Sequence, residues 1–303
     1  MRSPICLLET QIAGAPFNVA PEKASRCLQY RDDHRFDVIF VDEKKFRIRV
    51  RSNKEDQHPE IVLPIASLEY LWSFSHHCWV LTQEYAAAQR RGLETFDCLG
   101  TERLKQSSTL LDWAKSNLLQ SGVDQWPEVG PRPKNDEHSI DDSRVATELF
   151  LCALAWIMYH EIAHVVKNHP LLDTSISEQE EREADKFATN WLLDGLTGND
   201  SRLRKRALGI SVAVLTIQSL EIESVGCLKN THPKAHDRIF NNTDAYKYEN
   251  DEAVEAFCTV VLQYLFNEKS IEANVDGSKF SEILSDLLFD FSRVNSAGNN
   301  ACG

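Results

Sequence analysis

A chain of 303 residues has room for one or two domains and buries roughly three quarters of its unfolded surface, so it needs no disulfide or metal staple to hold a core. With 42% hydrophobic and 26% charged residues its composition is that of an ordinary globular protein, which excludes collagen-like, wholly disordered and coiled-coil chains. Its 33 Lys and Arg against 46 Asp and Glu leave a formal charge of −13, and this shortage of cations argues against nucleic acid as the partner.

Eight cysteines, at 6, 27, 78, 98, 152, 227, 258 and 302, are scattered singly with no Cys-x-x-Cys pair. They read as buried apolar residues in a reducing compartment. The opening Met1-Arg-Ser-Pro-Ile-Cys-Leu-Leu-Glu offers an apolar stretch far shorter than the roughly 7 to 15 residues of a secretory signal. The longest apolar run, 149–159, falls short of the roughly 18 residues of a membrane span. The expectation is a cytoplasmic protein with no membrane partner.

In chain order, residues 35–41, 45–51 and 60–65 are short segments rich in Val, Ile and Phe, divided by charged stretches. They predict a small antiparallel meander with Phe46-Arg-Ile-Arg-Val as its half-buried middle strand. From Ser67 the spacing of Leu68, Leu71, Trp72 and Phe74 predicts a helix reaching Ala88, and a second follows over 101–119. Between 120 and 142 the periodicity dissolves into Ser-Gly, Trp-Pro and Gly-Pro-Arg-Pro, which marks a loop or linker. Helices are predicted over 142–168, 177–194, 201–224, 251–266 and 279–294, ahead of a small polar tail. The fold class expected is α+β and predominantly α-helical. Its organisation is an N-terminal α/β region (1–125), a linker (126–141), a helical catalytic region (142–294) and a flexible tail (295–303).

The helix over 142–168 ends its apolar run in His160-Glu161-Ile-Ala-His164, an H-E-x-x-H pattern. Four residues are just over one helical turn, so both imidazoles face one side and can share a metal ion. Glu161 lies about 100° round the helix, placed to take a proton from an activated water without being a ligand itself. A catalytic zinc typically takes three protein ligands. A third His ten residues past the first would fall on Pro170, and His169 is one position too early. Downstream, Glu181 and Asp185 stand four apart beside Ala184 and Ala188, small residues that let a second helix approach closely. In that arrangement Glu181 completes the metal set, with Glu183 the reserve candidate, and Asp185 accepts the other ring proton of a histidine. The same acidic run also reads as a capped helix start, Ser177 with Glu180, which accounts for Glu178 and Glu180 but not for Asp185. Farther on, Asn230-Thr-His232-Pro-Lys-Ala-His236-Asp-Arg238-Ile holds two candidate donors for an oxyanion, His232 and Arg238; Pro233 with Thr231 or His232 equally suits a plain helix start.

The pair His160-Glu-Ile-Ala-His164 and Glu181-Arg-Glu-Ala-Asp185 resembles the gluzincin metallopeptidases, and Thr231-His-Pro with Arg238-Ile resembles the catalytic core of the prenyl-protein endopeptidase and heat-shock membrane peptidase branch. A similarity covering nearly the whole chain is to the Lit phage-exclusion peptidase family. It runs through Met1-Arg-Ser-Pro-Ile-Cys6, Ile61-Val-Leu-Pro-Ile-Ala-Ser-Leu-Glu-Tyr-Leu-Trp72, the metal helix, Glu180-Glu-Arg-Glu-Ala-Asp185, Lys205-Arg-Ala-Leu-Gly-Ile210 and Asn230-Thr-His-Pro233. That resemblance implies a bacterial cytoplasmic zinc endopeptidase, dormant until infection. It implies cleavage of host elongation factor Tu, with a phage capsid-protein peptide as activator. Two alternatives stand beside it: a zinc peptidase acting on another cytosolic protein such as a repressor, and a non-catalytic zinc-binding module.

Overall fold

Residues 3–34, 36–53, 58–119, 125–134, 141–171, 176–197, 200–223, 237–239, 241, 252–269 and 279–299 are described by a computed structural model of the chain. The chain enters through short helical pieces, Pro4–Leu8 and Pro21–Lys23 as 3-10 turns, with α1 (Glu9–Ala13), α2 (Ala15–Val19) and α3 (Ala24–His34). Pro4, Pro16 and Pro21 each sit in a first turn, where the missing N–H costs nothing. Pieces of three to five residues are too short to display a helical period, which is why this segment escapes a reading by periodicity.

The sheet corrects the expected antiparallel meander. Strands β1 (Asp37–Val41), β2 (Arg49–Ser52) and β3 (Pro59–Pro64) lie in the order β1-β3-β2, with β1 parallel and β2 antiparallel to β3. The expected middle strand is therefore an edge. Burial decides the order: Ile61, Val62 and Leu63 are apolar without alternation and fully buried, so β3 takes the centre, while β1 and β2 are half-exposed.

The body is helical, as expected. It comprises α4 (Ile65–Arg90), α5 (Glu102–Leu119), α6 (Asp142–Val166), α7 (Glu178–Leu193), α8 (Ser201–Glu223), α9 (Ala253–Glu268) and α10 (Phe280–Asn299). The last of these runs five residues past the expected end at Val294. Residues 125–134 carry no helix or strand, and Trp126 pins them, its ring 5.7 Å from that of Trp72 and 4.9 Å from that of Trp113. Helix α6 is long and apolar enough to cross a membrane, yet 83% of its most apolar stretch is buried inside the protein. Core residues before and after 125–134 belong to one buried cluster, Leu71 and Phe74 with Phe150 and Leu154 among them.

Polar cross-links fix how these helices rotate against one another. Trp72 Nε1 donates to Thr147 Oγ1 (3.0 Å), joining α4 to α6, and Tyr70 Oη pairs with Ser219 Oγ (3.0 Å), joining α4 to α8. Tyr159 Oη donates to the carbonyl of Pro16 at 2.6 Å and so ties α6 to α2. Cys27, Cys78, Cys152 and Cys258 are free and buried, in keeping with their reading as core residues. Helix α8 crosses α6 so closely that a Cβ on Gly209 would stand 2.2 Å from Cys152 Cβ. Gly209→Ala is therefore expected to cost about 1–3 kcal/mol through overpacking, read as a lowered urea midpoint.

His76 and His77, whose sequence spacing fits no ligand set, are buried in α4. Burial pushes the pKa of His76 down to about 4, and burial, helped by the nearby Lys115, pushes that of His77 down to about 3. Both stay neutral in the fold while the unfolded chain takes up protons below pH 6.5, so their contribution to stability is complete above that pH and is lost as pH falls towards 3. At pH 5 the loss is on the order of 2 kcal/mol for each. Replacing His77 by Phe should flatten the fall in stability between pH 7 and pH 5, measured by urea denaturation at each pH.

Candidate metal centre

Helix α6 begins under Asp141, whose side chain accepts from the Arg144 N–H, and is apolar nearly all round, so its C-terminal turns lie inside the protein. That places His160, Glu161 and His164 in the interior at the end of a core helix. Helix α7 starts at the capping box of Ser177 and Glu180, which fixes its first turn. Ala184 and Ala188, both fully buried, let it lie close against α6, and Trp156 Nε1 donating to Thr189 Oγ1 at 3.0 Å locks the contact. A carboxylate at the end of the first turn of α7 is thereby carried to the histidines.

Glu181 is that carboxylate. Its Oε2 lies 3.3 Å from His160 Nε2 and its Oε1 3.6 Å from His164 Nε2, while the two Nε2 atoms are 3.2 Å apart. One donor atom from each of His160, His164 and Glu181 falls within 4.8 Å of the others, and all three residues are buried. Asp185, one turn further, sits with Oδ1 2.9 Å from His160 Nδ1, the ring nitrogen facing away from the cluster. Glu183 points elsewhere: its Oε2 is 3.4 Å from Lys167 Nζ and 3.8 Å from His169 Nε2, on an exposed side chain.

Arg238 closes the site from the C-terminal side. Its guanidinium lies 3.2 Å from Glu181 Oε2 and 2.9 Å from Asp185 Oδ2, and it is buried. It thus pairs with Glu181 and Asp185, two carboxylates of α7. His232, the other candidate donor, lies outside the described residues.

Two contributors escaped the reading of the sequence. The Val50 N–H on the edge strand β2 donates to Glu161 Oε2 at 2.7 Å, and a main-chain group leaves no trace in side-chain pattern. His169 brings its Nδ1 to 3.0 Å from His164 Nδ1. The signal for it was Asn168, which holds φ 56° just beyond the helix end and turns the chain back on itself.

The electrostatics of the pair are unequal. Burial works against charge on His160, but hydrogen bonds to Asp185 and Glu181 outweigh it and push its pKa up to about 10. Burial and the neighbouring positive His160 push His164 down to about 4. With no metal bound, a proton is held by His160 in preference to His164.

Residues 61–258 match the peptidase U49 family. The chain is 51% identical over 296 residues to the cell death peptidase of Escherichia coli (strain K12), a match covering 98% of this chain and 100% of that protein. No solved structure matches the chain.

Removing Arg238 leaves the buried Glu181 and the half-buried Asp185 without their shared cation. In metal-free protein Arg238→Met is expected to cost about 3–5 kcal/mol in urea denaturation, and Asp185→Asn in the same background should return part of that loss.

Proposed function

Because the chain belongs to the peptidase U49 family, we propose that it is a zinc-dependent endopeptidase whose ion is held by His160, His164 and Glu181. The observation that carries the reading is the convergence of those three buried donors within 4.8 Å, in a chain of a peptidase family. The donor set suits zinc: two imidazoles and one carboxylate, with the outer nitrogen of His160 already engaged by Asp185. Zinc bound there would supply a Lewis acid that polarises the scissile carbonyl and lowers the pKa of a water towards about 7.

The chain's own residues do the rest. Glu161, beside the ligands on α6, accepts the proton of the attacking water and returns it to the leaving amine. Arg238 keeps Glu181 and Asp185 in place by charge, and Asp185 sets the ring of His160. His232 is the proposed donor to the oxyanion. A structural ion has no use for a carboxylate such as Glu161 beside its ligands, which favours the enzyme over the binding module.

The target and its control come from the resemblance. The substrate class proposed is elongation factor Tu in the bacterial cytoplasm, presented together with a phage capsid-protein peptide, so that cleavage follows infection. Burial of His160, Glu161, His164 and Glu181, with β2 bonded to Glu161, supports an enzyme held closed until a specific substrate orders its cleft.

Glu161→Gln should keep zinc and fold while losing turnover, and His164→Ala should lose the zinc in elemental analysis. Glu181→Gln should release metal far more readily than Glu183→Gln. His232→Ala should lower turnover by about 10²-fold with zinc unchanged. Incubating the zinc-loaded protein with elongation factor Tu, with and without the capsid peptide, and mapping products by mass spectrometry tests the target; efficient digestion of casein by the enzyme alone would refute the control scheme and leave the metal chemistry standing.

A further inference from the structure

His169 has no part in the ligand set, yet the fold delivers it to a particular place. Helix α6 ends in a left-handed turn at Asn168, where the His169 N–H bonds the carbonyl of His164 (2.9 Å) and the Asn168 N–H bonds that of Val165 (3.1 Å). This closure commonly brings the residue after the turn into contact with the one five positions back. Here those two residues are histidines. Their rings stand 5.1 Å apart at 67°, with the Nδ1 atoms 3.0 Å from each other, and the His169 side chain is only 7% exposed.

We propose that His169 is a positioning residue for the metal centre, holding His164 in the tautomer and orientation that aim its Nε2 at the ion. The inference rests on the zinc reading above and extends it to the outer face of the second histidine. A neutral imidazole has one N–H and one bare nitrogen. For Nε2 of His164 to offer a lone pair, its Nδ1 carries the proton and needs an acceptor, and the facing atom is Nδ1 of His169. That atom accepts when the His169 proton sits on Nε2, the nitrogen facing Glu183 Oε2 at 3.8 Å. The two histidines are supported unequally: a carboxylate braces His160 directly, whereas an imidazole braces His164 and adds no negative charge to an already acidic pocket.

The test compares zinc affinity, by competition with a chromogenic chelator, in wild type, His169→Phe, His169→Gln and His164→Ala. Phe keeps the ring volume and removes the acceptor, so it should weaken zinc binding about 10–100-fold. Gln restores an acceptor and should bind within a few-fold of wild type, a rescue that a packing role would not give. Zinc binding by His169→Phe equal to wild type overturns the role of His169 alone; a wild-type protein that takes up no more zinc than His164→Ala overturns the metal reading and this inference with it. Should the Phe variant not fold, two-bond ¹H–¹⁵N correlation on zinc-loaded wild type decides the matter: His164 protonated at Nδ1 supports the proposal, and protonation at Nε2 overturns it.

Discussion

A buried carboxylate, Glu181, and a half-buried one, Asp185, sharing one buried guanidinium are the constraint around which this protein is arranged. Glu181 is tolerable in the interior, with Asp185 half-buried beside it, only because Arg238 meets both and the histidines of α6 meet them from the other side. Satisfying all of them at once fixes the separation and rotation of α6 and α7, and Ala184 and Ala188 supply the close approach that this separation demands. The apolar core around α4, α6 and α8 then acts as a frame for a polar centre that would be costly to misplace.

The frame also explains why the chemistry sits at the end of α6 and not along it. Upstream, the helix is enclosed by α4 and α8, with Gly209 admitting the second of these to backbone distance. At its C-terminal turns α6 also meets α7 and β2, through His160 with Asp185 and Glu161 with the Val50 N–H. One helix thereby serves as both core and platform.

Much of this was legible because helical periodicity converts sequence spacing directly into geometry. Four-residue steps put His160 beside His164 and Glu181 beside Asp185, and the small residues marked the contacting face of α7. What stayed hidden depends on tertiary competition. The sheet order was decided by which strand was the most apolar, and an alternating Arg pattern in β2 fits an edge as well as a centre. Arg238 carried a signal of type but not of role, since only the fold reveals that its guanidinium is occupied by two carboxylates. His169 lay one step off a ligand spacing, and a left-handed residue between two elements breaks the periodicity on which such spacings are counted.

The contact between Val50 and Glu161 makes the sheet a measuring device. Val50 pairs with Ile61, and in this register its amide points away from β3 and reaches the carboxylate. A slip of one residue would turn every side chain of β2 over and hand the outward amide to an arginine neighbour. Glu161, the proposed proton acceptor, is thus gauged by the pairing of a strand it does not belong to, and that pairing is anchored by Ile61, Val62 and Leu63 in the core. Substitutions in β3, remote from the metal centre, would be felt at Glu161 as a change of alignment, so the hydrophobic lettering of one short strand belongs to the specification of the proposed proton acceptor.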